Sequence, residues 1–149
     1  MTSPPRKIKS GKMLYFLGYI LLLFAGVISV PIPVAIFYGE FGHIISFLIP
    51  SAISALVGLT LNKSFDSTEL RLGNAMVLVA LTWFSISIIG AIPFALEING
   101  ITILDAFFES VAGFTATGLT ILQGSAGWLV DVPSKSVLFW RSLTQWLGG

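Results

Sequence analysis

The segment ESVAGFTATGLT, Glu109–Thr120, lies between two long apolar stretches and matches neither. It is too short and too polar to span a bilayer, and too rich in Gly and Thr to stay helical throughout. Non-helical backbone at membrane depth is tolerated only where it is buried in protein or lines water. A chain that places such a segment between apolar spans needs a purpose for it, and the fold turns on what that purpose is.

The surrounding composition sets the class. Hydrophobic residues make up 55% of the 149 and charged residues 10%, with a mean hydropathy of +0.93. A soluble domain carries about a quarter charged residues. This chain therefore cannot cover itself with a water-compatible surface, and it reads as an integral membrane protein whose first partner is lipid. The net charge of +1 comes with no basic patch, so nucleic acid is not an expected partner. Cysteine is absent, which removes disulfides, thiolate metal sites and thiol nucleophiles together. His43 is the single histidine, so a Ser-His-Asp hydrolase or a His-rich metal site would rest on it alone. Neither an enzyme nor a cofactor is expected.

Working outward, MLYFLGYILLLFAGVISVPIPVAIFY, Met13–Tyr38, reads as the first span. It is too long for the core of a cleaved signal peptide and lacks a small-x-small cleavage site. Its length implies tilt or a kink, and Pro31 and Pro33 supply the kink. Ile44–Leu61 is the second span, with Pro50 early in it, and 13–61 forms a two-span hairpin joined by GEFGH, Gly39–His43. A polar loop occupies 62–73, and Asn74–Leu96 is the third span. After the segment 97–135, a fourth apolar helix starts at about 134 and runs to 149. At about 1.5 Å per residue its 136–149 portion covers roughly 21 Å, short of a hydrocarbon core of about 30 Å. The last span is therefore expected to be truncated and the chain to be the N-terminal piece of a longer one. Arg6, Lys7, Lys9, Lys12, Lys63 and Arg71 fall on one side and Lys135 on the other. The positive-inside rule then makes 1–12 and 62–73 cytoplasmic, with 97–135 facing outward. The expected fold class is an all-α polytopic membrane protein.

Within 74–149 the pattern is span, half-helix, Gly/Thr stretch, span. Thr102 can cap the half-helix, with Asp105 three residues on in an approximate capping box, and Phe107, Phe108 and Val111 on an apolar face. The helix is expected over about 103–113, with Gly113 able to end it. The stretch at 114–119 follows. A cation entering the bilayer must exchange its water for oxygen ligands, and rings of backbone carbonyls provide them. Small side chains and a glycine let the backbone run extended with carbonyls turned to one side. The half-helix before it would aim its negative end at the ion path. The competing reading is an ordinary outer loop in which Thr and Gly make turns.

DAFFESVAGFTATGLTIL followed by LFWRSLTQWLGG closely resembles the first pore repeat of the Trk/Ktr/HKT superfamily of potassium transporters. The resemblance implies four span–pore-loop–span repeats in one longer chain, preceded in Trk-type members by two extra spans, which Met13–Leu61 match. It places a selectivity filter on Thr115, Ala116, Thr117, Gly118 and Leu119. Potassium would be held by the backbone carbonyls of Thr115, Ala116, Thr117 and Gly118. Glycine at 118 goes with potassium preference, and Ala116 stands where a threonine is common, with little consequence expected. The resemblance further implies potassium uptake across the cell membrane, a homodimer of full-length subunits and a cytoplasmic nucleotide-binding regulatory subunit. Two alternatives remain: four short chains assembling a cation channel, or a non-transporting membrane assembly protein.

Of the charges, Arg141 lies in a span and is a functional candidate by default. It either snorkels to the interface or pairs with Glu109 or Asp105 and braces the pore helix. Glu109, Arg141 and Gly113 are thus the expected filter supports. Glu109 is alternatively a lure for cations at the outer mouth, and Asp105 a helix-start charge. His43 is expected to be solvated. Trp83, Trp128, Trp140 and Trp146 fit interface belts or helix packing, and Gly148 and Gly149 a close helix contact or a break.

Overall fold

The structure, a computed structural model, describes residues 12–65, 72–124, 127–128 and 133–149. The N-terminal charges Arg6, Lys7 and Lys9, and Arg71 in the polar loop, lie outside the described residues, as does the side chain of Trp128. The chain forms α1 (Lys12–Ser29), α2 (Pro31–Phe37), a 3-10 turn (Phe41–His43), α3 (Ile44–Ser64), α4 (Leu72–Glu97), α5 (Ile103–Phe114) and α6 (Lys135–Gly148). Two residue pairs, β1 (Gln123–Gly124) and β2 (Gly127–Trp128), make a minimal antiparallel ladder. Met13–Phe37, Phe41–Ser64 and Gly73–Glu97 are each long and apolar enough to cross a membrane. The fold is all-α and polytopic, as expected from composition.

The proline-rich end of the first span divides it. Val30 keeps helical angles, Pro31 opens α2 at a first-turn position where its missing N–H costs nothing, and the two helices read as one bent span. Pro50 and Pro93 sit inside α3 and α4 without ending them. Two boundaries differ from the hydropathy reading by more than one residue. The second span runs past Leu61 to Ser64, and the third starts at Leu72 instead of Asn74. Polar side chains do not stop a helix that can still close its backbone ladder. Asn62 donates back to the Gly58 carbonyl at 3.2 Å, and the Phe65 amide donates to Leu61 at 3.1 Å.

α1 packs most extensively on α3. A Cβ on Gly18 would lie 2.8 Å from the Gly58 carbonyl oxygen, and one on Gly58 would lie 2.7 Å from that of Gly18. The backbones approach through these two glycines, the way membrane helices gain van der Waals contact where lipid offers no hydrophobic drive. Ser51 and Ser54 donate across the interface to the carbonyls of Ala25 and Leu21, at 2.8 and 2.7 Å. Outward-facing positions such as Leu23, Leu56, Met76 and Phe84 are exposed, as lipid-facing side chains are.

The core forms where the first hairpin, α1–α3, meets a second one made of α4, α5 and α6. Trp140 of α6, fully buried, packs against Phe24 of α1, Phe47 of α3 and Phe114 of α5, with ring centroids 6.3, 6.5 and 6.3 Å away. Its indole N–H donates to the Gly90 carbonyl of α4 at 3.1 Å. One tryptophan thus touches every long helix. Trp146, by contrast, is largely exposed, and Trp83 partly so.

Candidate functional site

α5 begins as its residues dictate. The Thr102 hydroxyl accepts from the Asp105 amide at 3.2 Å, while Asp105 accepts from the Thr102 amide and hydroxyl, both at 2.8 Å. This is a reciprocal capping box, and it turns Asp105 back onto its own helix start. Asp105 therefore does not pair with Arg141.

The far end of α5 departs from the expectation that Gly113 stops it. Gly113 is buried inside the helix, and a Cβ there would lie 2.3 Å from the Thr144 hydroxyl of α6. Its missing side chain serves helix contact. Termination falls on Ala116, a non-glycine residue at φ +51°. The Ala116 amide donates to the Gly113 carbonyl at 2.9 Å and the Thr117 amide to that of Ala112 at 3.2 Å. These are the paired bonds of a Schellman motif, with Ala116 in the left-handed position that glycine usually fills. The hydroxyls of Thr115 and Thr117 turn back to the Val111 and Ala112 carbonyls, at 2.7 and 3.3 Å.

Thr115 and Ala116 are consequently a turn, and irregular backbone begins only at Thr117. The fully extended run expected over Thr115–Leu119 is shortened because the end of α5 must satisfy its own carbonyls first. Gly118 holds φ +71°, with open space around its Cβ position. All five residues are exposed. Among the described residues, none of their carbonyls accepts a hydrogen bond.

Behind this arch lies Glu109, 1% exposed. Its carboxylate accepts from Arg141 Nε at 2.5 Å, from the Thr120 hydroxyl at 2.9 Å and from the Ile121 amide at 3.2 Å. Burial of a carboxylate is tolerable only with a counter-charge and hydrogen bonds to its remaining lone pairs, and both are present. The burial also withdraws Glu109 from any outer mouth. Arg141 spends its guanidinium on this pair, so the snorkelling alternative does not describe it. The segment 115–119 is thus fixed at both ends: at its start by the helix cap, at its finish by Glu109.

α6 closes tightly over the same place. A Cβ on Gly148 would lie 2.1 Å from the Phe114 carbonyl oxygen, and one on Gly90 2.8 Å from the Phe114 ring. Gly148 is a close-contact glycine.

Two carboxylates had no partner legible in the sequence. Glu97, at the end of α4, accepts from the Ser46 hydroxyl and contacts Nδ1 of His43. His43 is therefore engaged as well as partly solvated, its side chain 40% exposed. Glu40 accepts from the Lys135 and Ser136 amides and the Ser136 hydroxyl, at 2.7, 3.0 and 2.8 Å. Burial pushes its carboxyl up, but the hydrogen bonds from Ser136 and Lys135, helped by the nearby His43, hold it below its usual range.

No family model matches the chain. Curated relatives do. An uncharacterized cation transporter, MJ1485, of Methanocaldococcus jannaschii is 37% identical over 137 residues, covering 92% of this chain and 28% of that protein. The Trk system potassium uptake protein TrkH of Escherichia coli (strain K12) is 34% identical over 136 residues, covering 89% of this chain and 27% of its own length. TrkG of the same strain is 32% identical over 139 residues, with the same coverage. This chain thus spans 27–28% of the length of these relatives. That similarity takes in about nine-tenths of this chain, the capped arch between α5 and α6 included, and makes the chain similar, over that part of their length, to Trk-type cation-transport proteins.

Proposed function

We propose that this chain supplies one strand of a potassium selectivity filter, within a Trk-type subunit that takes up potassium across the cell membrane. The observation that carries the reading is the arch at 115–119. Its residues are exposed, its carbonyls accept no hydrogen bond among the described residues, and both its ends are anchored. Carbonyls left free beside a helix end, on a frame that cannot easily shift, are what replacing the hydration shell of a cation requires. The potassium-uptake names of the TrkH and TrkG relatives point the same way.

In this reading Thr115, Ala116, Thr117, Gly118 and Leu119 face the ion path, and Glu109, Arg141 and Gly113 hold them there. α5 lends the negative end of its dipole. The N-terminus is cytoplasmic, and further repeats of a longer chain complete the ring around the ion. A homodimer of such subunits and a cytoplasmic nucleotide-binding regulator follow from the family resemblance alone.

The test uses the full-length chain in cells that lack their own potassium uptake. Gly118→Ser keeps the protein in the membrane but places a side chain on a residue at φ +71°. Uptake by the unaltered chain, with a lowered preference for potassium over sodium in the variant, is the expected result. Unchanged preference in a well-inserted Gly118→Ser protein would remove 115–119 from the ion path.

A further inference from the structure

Glu40 sits in the short turn between α2 and α3, far in sequence from everything in the arch, yet three donors converge on its carboxylate. Two are the amides of Lys135 and Ser136, at the start of α6. Amides in the first turn of a helix have no intrahelical partner and carry the positive end of its dipole, so a carboxylate there satisfies both. The local cap is weaker: the Ser134 hydroxyl accepts from the Val137 amide at 3.4 Å. The start of α6 is therefore set by a residue of the other hairpin at least as much as by its own sequence.

What α6 carries makes that matter. Arg141 lies under two turns further along, and its Nε–Oε1 contact of 2.5 Å tethers Glu109. Glu109 in turn holds Thr120 and Ile121 at the end of the arch. Thr144 and Gly148 meet Gly113 and Phe114 with no space to spare. A slip of α6 by one residue would translate it by about 1.5 Å and rotate it by roughly 100°. No contact on that list survives such a move. We infer that Glu40 is a positioning residue for the ion path: by capping α6 it fixes the register of Arg141, and through Arg141 and Glu109 the placement of 115–119. The inference rests on the transport reading above and assigns a task to the N-terminal hairpin within it.

The experiment compares Glu40→Gln, Glu40→Asp and Ser136→Ala in the full-length chain, in cells lacking their own potassium uptake. Rubidium uptake gives KM and maximal rate per membrane-inserted protein, and competition by sodium gives preference. Glu40→Gln keeps the shape but loses the charge and half the acceptor capacity. Its KM for rubidium is expected to rise about fivefold, a factor in line with charge at a helix end, with preference over sodium reduced. Glu40→Asp, which retains the carboxylate, is expected to recover part of both. A fall in maximal rate with KM and preference unchanged would mean a purely structural role and would overturn the inference. Should Glu40→Gln fail to insert, Ser136→Ala decides, since it removes one of the three bonds: a smaller shift of the same kind supports the inference, and no shift overturns it. Absence of uptake by the unaltered full-length chain is a separate result, and it would overturn the transport reading itself together with this inference.

Discussion

Ala116 is the residue whose backbone departs furthest from its chemistry. A non-glycine residue in left-handed geometry costs roughly 1–2 kcal/mol, because its Cβ crowds the following carbonyl. The cap of α5 holds it there all the same. Ala116→Gly is expected to stabilise the full-length protein by about 1 kcal/mol, read as a raised thermal midpoint in detergent. An unchanged or lowered midpoint would mean that the turn is not strained. Arg141→Gln is expected to act in the opposite direction, since it leaves a buried carboxylate without its counter-charge, a loss of about 3 kcal/mol or more. Its readouts are a lowered midpoint and altered ion preference, and a variant with both intact would refute the brace. The Arg141 pairing was foreseeable, because an arginine in a span needs a partner and the carboxylates near it are few. The strain at Ala116 was not, since helix-ending turns of this type are normally signalled by a glycine and the glycine available, Gly113, is used for packing against Thr144.

Among the elements, the α1–α3 crossing depends on backbone contact at Gly18 and Gly58. Leucine at position 58 would meet the Gly18 carbonyl oxygen and the Leu22 side chain and amide, of which the backbone atoms cannot rotate away. Gly58→Leu is expected to part the first hairpin, with a cost of at least the 1–3 kcal/mol typical of overpacking. Limited proteolysis of the solubilised protein would report it as faster cleavage, and cleavage at the original rate would contradict the crossing. Hydropathy placed the three long helices to within a few residues, because a span must be apolar for its whole length. It missed their ends, where Asn62 and Lys63 continue α3: backbone closure decides an end, and polarity alone does not. The start of α5 was legible for a different reason, as Thr102 and Asp105 stand at the spacing a capping box requires.

At the scale of the whole molecule, an aromatic cluster and a polar clasp join the two hairpins. Phe24, Phe47, Phe114 and Trp140 meet in the core, while Glu40 and Glu97 tie the turn between the first two spans to α6 and α4. None of these meetings was legible, because residues this far apart along the chain carry no mutual signal in one sequence. The clasp has a pH consequence. The folded pKa of Glu40 lies below its ordinary value of 4.5, so its contribution to stability is complete above that value. That contribution is lost as pH falls through the lowered folded pKa. Thermal midpoints of the solubilised full-length protein should therefore fall more steeply below pH 4.5 than those of Glu40→Gln. Parallel curves for the two proteins would show that the clasp contributes no stability.

The most direct test of the ion path is structural. The full-length protein would be solved with rubidium or thallium in place of potassium, and the heavy ion located by its anomalous scattering. Density in direct coordination distance of the carbonyl oxygens of Thr115–Gly118 is the expected result. Ion density elsewhere in the molecule, with none beside these carbonyls, would contradict the assignment of the arch as part of a filter.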